Sequence, residues 1–405
     1  MRLTRLSLTQ FRNYPSLTWR PAAAISVLFG PNGSGKTSLL EAVSLLVPGR
    51  GLRGARLSEL ARYGEGATGS WAVAGRFDSA QGPCDIGTGT QPGAPERRLF
   101  RLDGAPPRSQ AELAERVAAV WLTPQMDRLF NEAASARRRF LDRLVWALEP
   151  GHARQVAAHD AAMASRNRLL SQARHDGGTQ DRAWLDALEH AMARHAVAAT
   201  AARMALVSRL NIALEGGLAG AFPAGRIALL CPIAEKLAEC PALAAEDWLR
   251  AGLAAARARD AATGSAALGA HRADMTMTDA AGTPASLAST GEQKALLVGL
   301  VLGHAELIGQ ARGAAPLLLL DEPAVHLDPG RRAALFDALT RLPAQALLTG
   351  TDAEPFLPLA GRAEGLLTGG GRLQPDMRFP VPIFAAISPP ISPFGVPLTP
   401  GPETL

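Results

Sequence analysis

Ile25-Ser-Val-Leu-Phe-Gly-Pro-Asn-Gly-Ser-Gly-Lys-Thr-Ser-Leu-Leu-Glu41 is the stretch whose reading decides the fold. An apolar, β-prone run, Ile25 to Phe29, leads into Gly30, Pro31, Asn32, Gly33, Ser34, Gly35, Lys36 and Thr37, and an apolar helix start follows. This is the G-x-x-x-x-G-K-[ST] pattern in the strand–loop–helix setting it requires. Glycines let the backbone curl until successive N–H groups face phosphate oxygens, backed by a helix N-terminus. Lys36 supplies a compact charge for the β- and γ-phosphates, and the Thr37 hydroxyl suits Mg²⁺. Of 42 Lys+Arg only Lys36, Lys236 and Lys294 are lysines. An Arg-rich chain keeps lysine where a planar guanidinium has the wrong shape. A chance Gly-rich turn explains neither flank, so the stretch predicts a bound nucleoside triphosphate.

Around that stretch, 405 residues suggest two to three domains, and 47% hydrophobic residues support a sizeable core. The net charge of +5 and a pI near 9.6 permit nucleic-acid binding without requiring it. Cys84, Cys231 and Cys240 show no C-x-x-C spacing and fit a reducing compartment, neither a disulfide framework nor a zinc site. The N-terminus is unlike a signal peptide, and apolar runs such as 295–303 are too short to span a bilayer. The expectation is a soluble, cytoplasmic protein without a membrane partner.

Residues 1–29 read as strands of the sheet that delivers the phosphate loop, and 70–105 as a small antiparallel region. Ala118 to Leu122 reads as a buried strand. From about Asn131, Gly and Pro become rare and helix formers dominate, and 181–215 has neither. A 35-residue helix would be about 50 Å long, so a projecting lobe is expected. Strands are expected near Ile227 to Ile233 and Ala344 to Leu348. Helices are expected at Ala251 to Ala262, Ala295 to Ile308 and Arg331 to Leu342. From Leu373 nine prolines in 33 residues predict a tail without a core element. The implied division is 1–130 and 263–372 as two parts of one head, 131–262 as an inserted helical lobe, and 373–405 as tail.

Four leucines, Leu317 to Leu320, then Asp321 and Glu322 read as a buried strand presenting two carboxylates. Beside the phosphate loop, Asp321 would hold Mg²⁺ and Glu322 would polarise the attacking water. A plain strand ending in surface acids is the bland alternative. Ser289-Thr290-Gly291-Glu292-Gln293 opens a helix, where small residues offer N–H donors to a phosphate; alone it is an N-cap. Arg137, Arg138, Arg139 and Arg143 cover two helical turns and could meet DNA phosphates, or form a solvated face.

Phosphate loop, Ser-x-Gly-x-Gln, Leu₄-Asp-Glu and the trailing Leu327-Asp328 together resemble the ATP-binding-cassette ATPase head. The fold class expected is α/β, a P-loop head with a mixed sheet, flanking helices and an inserted α-helical lobe. Leu6, Leu8 and Phe11-Arg12-Asn13-Tyr14, then Arg138-Arg139-Phe140-Leu141-Asp142 and Gly269-x-His271-Arg272-x-Asp274 resemble the RecF family of bacterial replication and recombinational-repair proteins. Lys36 and Asp321 lie 285 residues apart, room for the lobe but not for the very long coiled coil of chromosome-structuring ATPases.

The resemblance implies that ATP and Mg²⁺ sit on Gly30 to Thr37, with Arg12 and Asn13 near the nucleotide. It implies that Ser289, Gly291 and Gln293 meet the ATP of a second copy, closing a head-to-head homodimer, with Asp328 close by. Gln125 is the candidate that senses Mg²⁺ and water. Thr351 stands where many cassette ATPases carry a switch histidine, which implies slow turnover. Single-stranded and gapped double-stranded DNA and a recombination-mediator protein are the implied partners. Two other readings stay open: an ATPase engine of a membrane transporter, and a nucleotide-gated scaffold.

Overall fold

The computed structural model describes residues 1–380 apart from 65, 80, 177–180, 217–221, 223 and 224. In chain order these form β1 (Arg2–Phe11), β2 (Tyr14–Trp19), β3 (Ile25–Phe29), α1 (Lys36–Leu45), β4 (Ala72–Ser79), β5 (Gly82–Gln91) and β6 (Ala94–Leu102). Then come α2 (Gln110–Arg116), β7 (Ala119–Leu122), α3 (Ala134–Leu148), α4 (His152–Asp176), α5 (Arg182–Glu215), β8 (Gly225–Leu230), α6 (Pro232–Glu239), α7 (Ala242–Ala255) and α8 (Arg257–Thr263). The chain continues with β9 (Asp274–Asp279), α9 (Thr290–Arg312), β10 (Leu317–Leu320), α10 (Pro329–Arg341), β11 (Ala346–Gly350), β12 (Ala363–Gly369) and β13 (Arg372–Pro375).

Burial pattern sorts the first strands into different sheets. β3 is buried at all five positions, as a parallel strand covered on both faces must be. It lies inside a six-stranded sheet ordered β13-β12-β3-β11-β10-β7, parallel except for β13. β1 alternates buried with partly exposed residues over much of its length and joins the antiparallel sheet β2-β1-β4-β5-β6. Only β3 delivers the phosphate loop; β1 and β2, expected in the same sheet, roof it from the other.

The leucines of β10 show the layering. Leu318 and Leu320 face one core with α3, α9 and α10; Leu317 and Leu319 face the other with α1 and the antiparallel sheet. α1 is therefore sandwiched, with Leu39, Leu40 and Val43 fully buried. α5 and α9 are long and apolar enough to cross a membrane, contrary to the expectation that no apolar stretch is. Half of the α5 window and 78% of the α9 window are buried inside the protein. α9 is apolar on every side because protein surrounds it.

A third core joins α4, α5, α6 and α7 to the loop carrying Ala266, Ala270 and Ala273. α3 packs Phe140, Leu141, Leu144 and Val145 into the sheet core instead. Inside the lobe, fully buried Arg166 donates to Glu189 and Asp260, each at 2.8 Å, and to the Leu253 carbonyl at 2.7 Å.

The tail reading is corrected at its start. Residues 372–375 form β13, and Phe379 is 2% exposed against Phe29, with ring centroids 5.8 Å apart. An apolar ring beside a Gly365 that leaves it space wins over the local proline content. The rest of the expected tail, 381–405, lies outside the described residues.

Candidate active site

The loop between β3 and α1 needs its glycines. Gly30, Gly33 and Gly35 have φ of +148°, +80° and +107°, where side chains are disfavoured. A Cβ on Gly30 would stand 2.6 Å from the Thr368 carbonyl oxygen, and one on Gly35 2.7 Å from the Tyr14 hydroxyl. α1 starts at Lys36 with no side-chain cap and no acid in its first turn, leaving its N–H groups for an anion. Lys36 is 5% exposed and its Nζ donates to the Gly30 and Pro31 carbonyls at 2.6 and 3.0 Å. Burial lowers its pKa, opposed by the carboxylates of Glu322, Asp321 and Asp352.

The Phe-Arg-Asn-Tyr turn braces this loop. Asn13 Nδ2 donates to the Gly33 carbonyl at 2.9 Å and the Tyr14 hydroxyl to the Gly35 carbonyl at 3.1 Å. Burial raises the Tyr14 pKa well above the usual phenol range, so the hydroxyl stays a donor. Arg12 forks onto Glu41 at 2.9 and 3.0 Å. Arg12 and Asn13 also line a cleft of about 460 Å³ whose rim carries exposed Tyr63. This cleft shares Asn13, Gly33 and Ser34 with a cavity of about 180 Å³ over Lys36, Thr37, Arg53 and Glu322.

Strand order explains how the acids arrive. β11 separates β3 from β10, with Val27, Leu348 and Leu320 level across them. Asp321 lies one residue past β10, and its Oδ1 accepts from Thr37 Oγ1 at 2.9 Å. Thr349 on the intervening strand donates to the same oxygen at 2.7 Å and accepts from the Glu322 N–H at 2.9 Å. Glu322 itself is left-handed, φ +50°, an uncommon state for a non-glycine.

Ser289 caps α9 in a reciprocal box with Glu292 and is exposed. Neither Ser289 nor Gly291 lines the cavity of its own phosphate loop. A Cβ on Gly291 would lie 3.2 Å from the His326 carbonyl oxygen, so the glycine lets the two loops touch. Gln293 is turned inward, bonded to the Ala288 carbonyl and to Asn131, away from solvent. Asp328 caps α10 through the Arg331 N–H at 2.8 Å.

Three expectations do not meet the site. Gln125 is exposed at the start of a 3₁₀ turn and lines neither cavity. Thr351 is exposed and bonds only to Asp352 among the contacts described; Thr349, two residues earlier and fully buried, takes the central position. Arg137 pairs with Asp274 at 2.7 Å, Arg138 donates to the Ala273 carbonyl, and Arg143 stacks on Trp121 at 4.7 Å. α3 points these three arginines into the protein, leaving exposed Arg139 of the four for a phosphate. Sequence reading missed Thr349, Asp127 and Lys294. The scarcity of lysine that marked Lys36 marks Lys294 equally, and was the available signal.

The family described as RecF/RecN/SMC N terminal domain matches residues 2–358. A relative in Mesorhizobium japonicum, a DNA replication and repair protein RecF, is 47% identical over 377 residues, covering 92% of this chain and 97% of its own. The chain belongs to the RecF family. A second RecF, from Rhizobium meliloti, is 45% identical over 92% of this chain and 98% of its own. The solved structure of a recombination mediator protein RecF with ATP in the RecFOR pathway shares the fold at TM-score 0.78 and 20% identity, covering 93% of this chain and 99% of that one. An Smc head from Pyrococcus furiosus aligns at TM-score 0.52 and 14% identity over 92% of this chain and 95% of that one. The transporter reading finds no support in these relatives.

Proposed function

We propose that this chain is an ATP-dependent DNA-binding protein of replication and recombinational repair, working as a slow ATPase switch. ATP closes two copies head to head, the closed dimer holds DNA at gaps or single-strand/double-strand junctions, and hydrolysis releases it. A recombination-mediator protein is the partner, and loading of recombinase the outcome.

One observation carries the reading: loop and Glu322 line one cavity, with Asp321 bonded to Thr37 of the same loop, while the Ser289 cap of α9 stands exposed outside it. A helix N-terminus that cannot reach its own loop suits the γ-phosphate of a second copy. Lys36 and the α1 N-terminus hold the β- and γ-phosphates. The base extends into the cleft at Tyr63, which offers a ring face for stacking. Mg²⁺ fits the donor set, since Thr37 Oγ1 and Asp321 Oδ1 are hard oxygens already 2.9 Å apart. When bound it neutralises charge on the phosphates. Glu322 accepts a proton from the attacking water.

Gel filtration of a Glu322→Gln variant with ATP is the test. The expected result is a stable ATP-dependent dimer that retains gapped duplex and hydrolyses at least about a hundredfold more slowly. A strictly monomeric Glu322→Gln protein at saturating ATP sinks the composite site.

A further inference from the structure

Two segments meet at one buried lysine. Lys294 is 1% exposed, one turn into α9. Its Nζ donates to Asp127 Oδ2 at 3.1 Å and to the main-chain carbonyl of Glu322, also at 3.1 Å. Asp127, 8% exposed, lies in the 3₁₀ segment Pro124–Asn131 that follows β7. Its Oδ2 also faces His326 Nδ1 at 3.7 Å, and its Oδ1 is buried without a hydrogen-bond partner among the described residues. His326 and Glu322 are both left-handed, with φ of +65° and +50°.

Burying an ammonium and a carboxylate is costly unless geometry compensates. Methionine or leucine at position 294 would fill the same space without that cost, so the charge calls for a use. The geometry supplies one. The Glu322 carbonyl is the group that turns when the backbone of Glu322 relaxes toward ordinary φ and ψ, because Pro323 after it has a fixed φ. A cation bonded to it holds the left-handed turn, and with it the aim of the Glu322 carboxylate into the cavity over Lys36. The same cation rides on the helix that exposed Ser289 caps and whose second residue, Gly291, is partly exposed.

We infer that Lys294 is the positioning residue that couples the two nucleotide sites, tying each Glu322 to the helix start that reads the second copy's ATP. A pull on the α9 N-terminus moves Lys294, and Lys294 moves the Glu322 backbone. Asp127 bonds the same Nζ and links the movement to the 3₁₀ segment that contains Gln125. Hydrolysis is thereby gated by occupancy of the other site. This inference rests on the dimer proposed above.

Steady-state ATP hydrolysis and ATP-dependent gel filtration of the full chain test it, with Lys294→Met, Lys294→Arg and the double variant Asp127→Asn/Lys294→Met. The native protein is expected to hydrolyse with a Hill coefficient above 1. Lys294→Met is expected to dimerise at the native ATP concentration and keep its KM, with kcat lower by about tenfold or more and a Hill coefficient of 1. Lys294→Arg should recover part of kcat. If the single variant misfolds because Asp127 is left buried without a counter-charge, the double variant removes that charge. It should melt like the native protein and hydrolyse as slowly as expected for Lys294→Met. A folded double variant with native kcat and cooperativity overturns the inference while leaving the dimer intact. A native chain that never dimerises with ATP overturns the dimer reading, and this one with it.

Discussion

Thr349 is where the two halves of the candidate site meet. Its hydroxyl hydrogen points at Asp321 and its oxygen receives the Glu322 N–H, so one side chain orients both acids. Thr349→Val keeps the shape and removes both bonds, leaving a buried N–H without a partner. The expected cost is about 1–3 kcal/mol, read by urea unfolding, with a kcat loss larger than the KM change. Thr351→Val should change neither, because Thr351 is exposed and bonds to its neighbour; an equal loss in both variants would refute the assignment. The residues of the phosphate loop were legible because their spacing is local. Thr349 was not, since nothing along the chain says that β11 lies between β3 and β10.

At the scale of elements, arginines do structural work that composition alone left ambiguous. Half-buried Arg98 donates to the Leu45 and Gly49 carbonyls at and just past the end of α1, and desolvation pushes its pKa down to about 10. Arg312 donates to the Ala147 carbonyl at the end of α3 and to the Ala114 carbonyl in α2. Both satisfy helix ends that would otherwise expose carbonyls. Arg166 locks α4, α5 and α8 together through Glu189 and Asp260. Arg166→Met removes the buried counter-charge of Asp260, while Glu189 keeps Arg257, and the expected loss is about 3–5 kcal/mol. Chemical denaturation followed by far-ultraviolet dichroism measures it; a loss under 1 kcal/mol would mean the network is solvated. The long helix α5 was legible from composition, since a run without Gly or Pro and with apolar residues at helical spacing has few other options. β8 lies two to three residues before the Ile227 to Ile233 expected from sequence, because Pro232 starts α6 inside the apolar run.

Across the whole molecule, the chain ends are knitted to the middle of the site. The Leu3 N–H donates to Gln345 Oε1 at 2.6 Å, and the Ser26 hydroxyl to Glu364 Oε1 at 2.6 Å, each pair more than 330 residues apart. Phe379 completes the closure by packing on Phe29, the residue immediately before the phosphate loop. Phe379→Ala is expected to cost about 3–5 kcal/mol and to raise KM for ATP, since the loop loses its backing. A thermal melt with and without ATP separates the two effects, and an unchanged melting temperature would refute the packing role. By itself the sequence determined the nucleotide loop, the acid pair, the inserted lobe and the family, because each depends on residue types at short spacing or on the length between them. Tertiary structure decided which sheet took β1 and β2, which threonine joined the acids, and that Arg137, Arg138 and Arg143 face inward. It also decided that Lys294 of α9 meets the Glu322 carbonyl. Those outcomes depend on which strand lies beside which and on what each helix face meets, and local spacing carries no record of either.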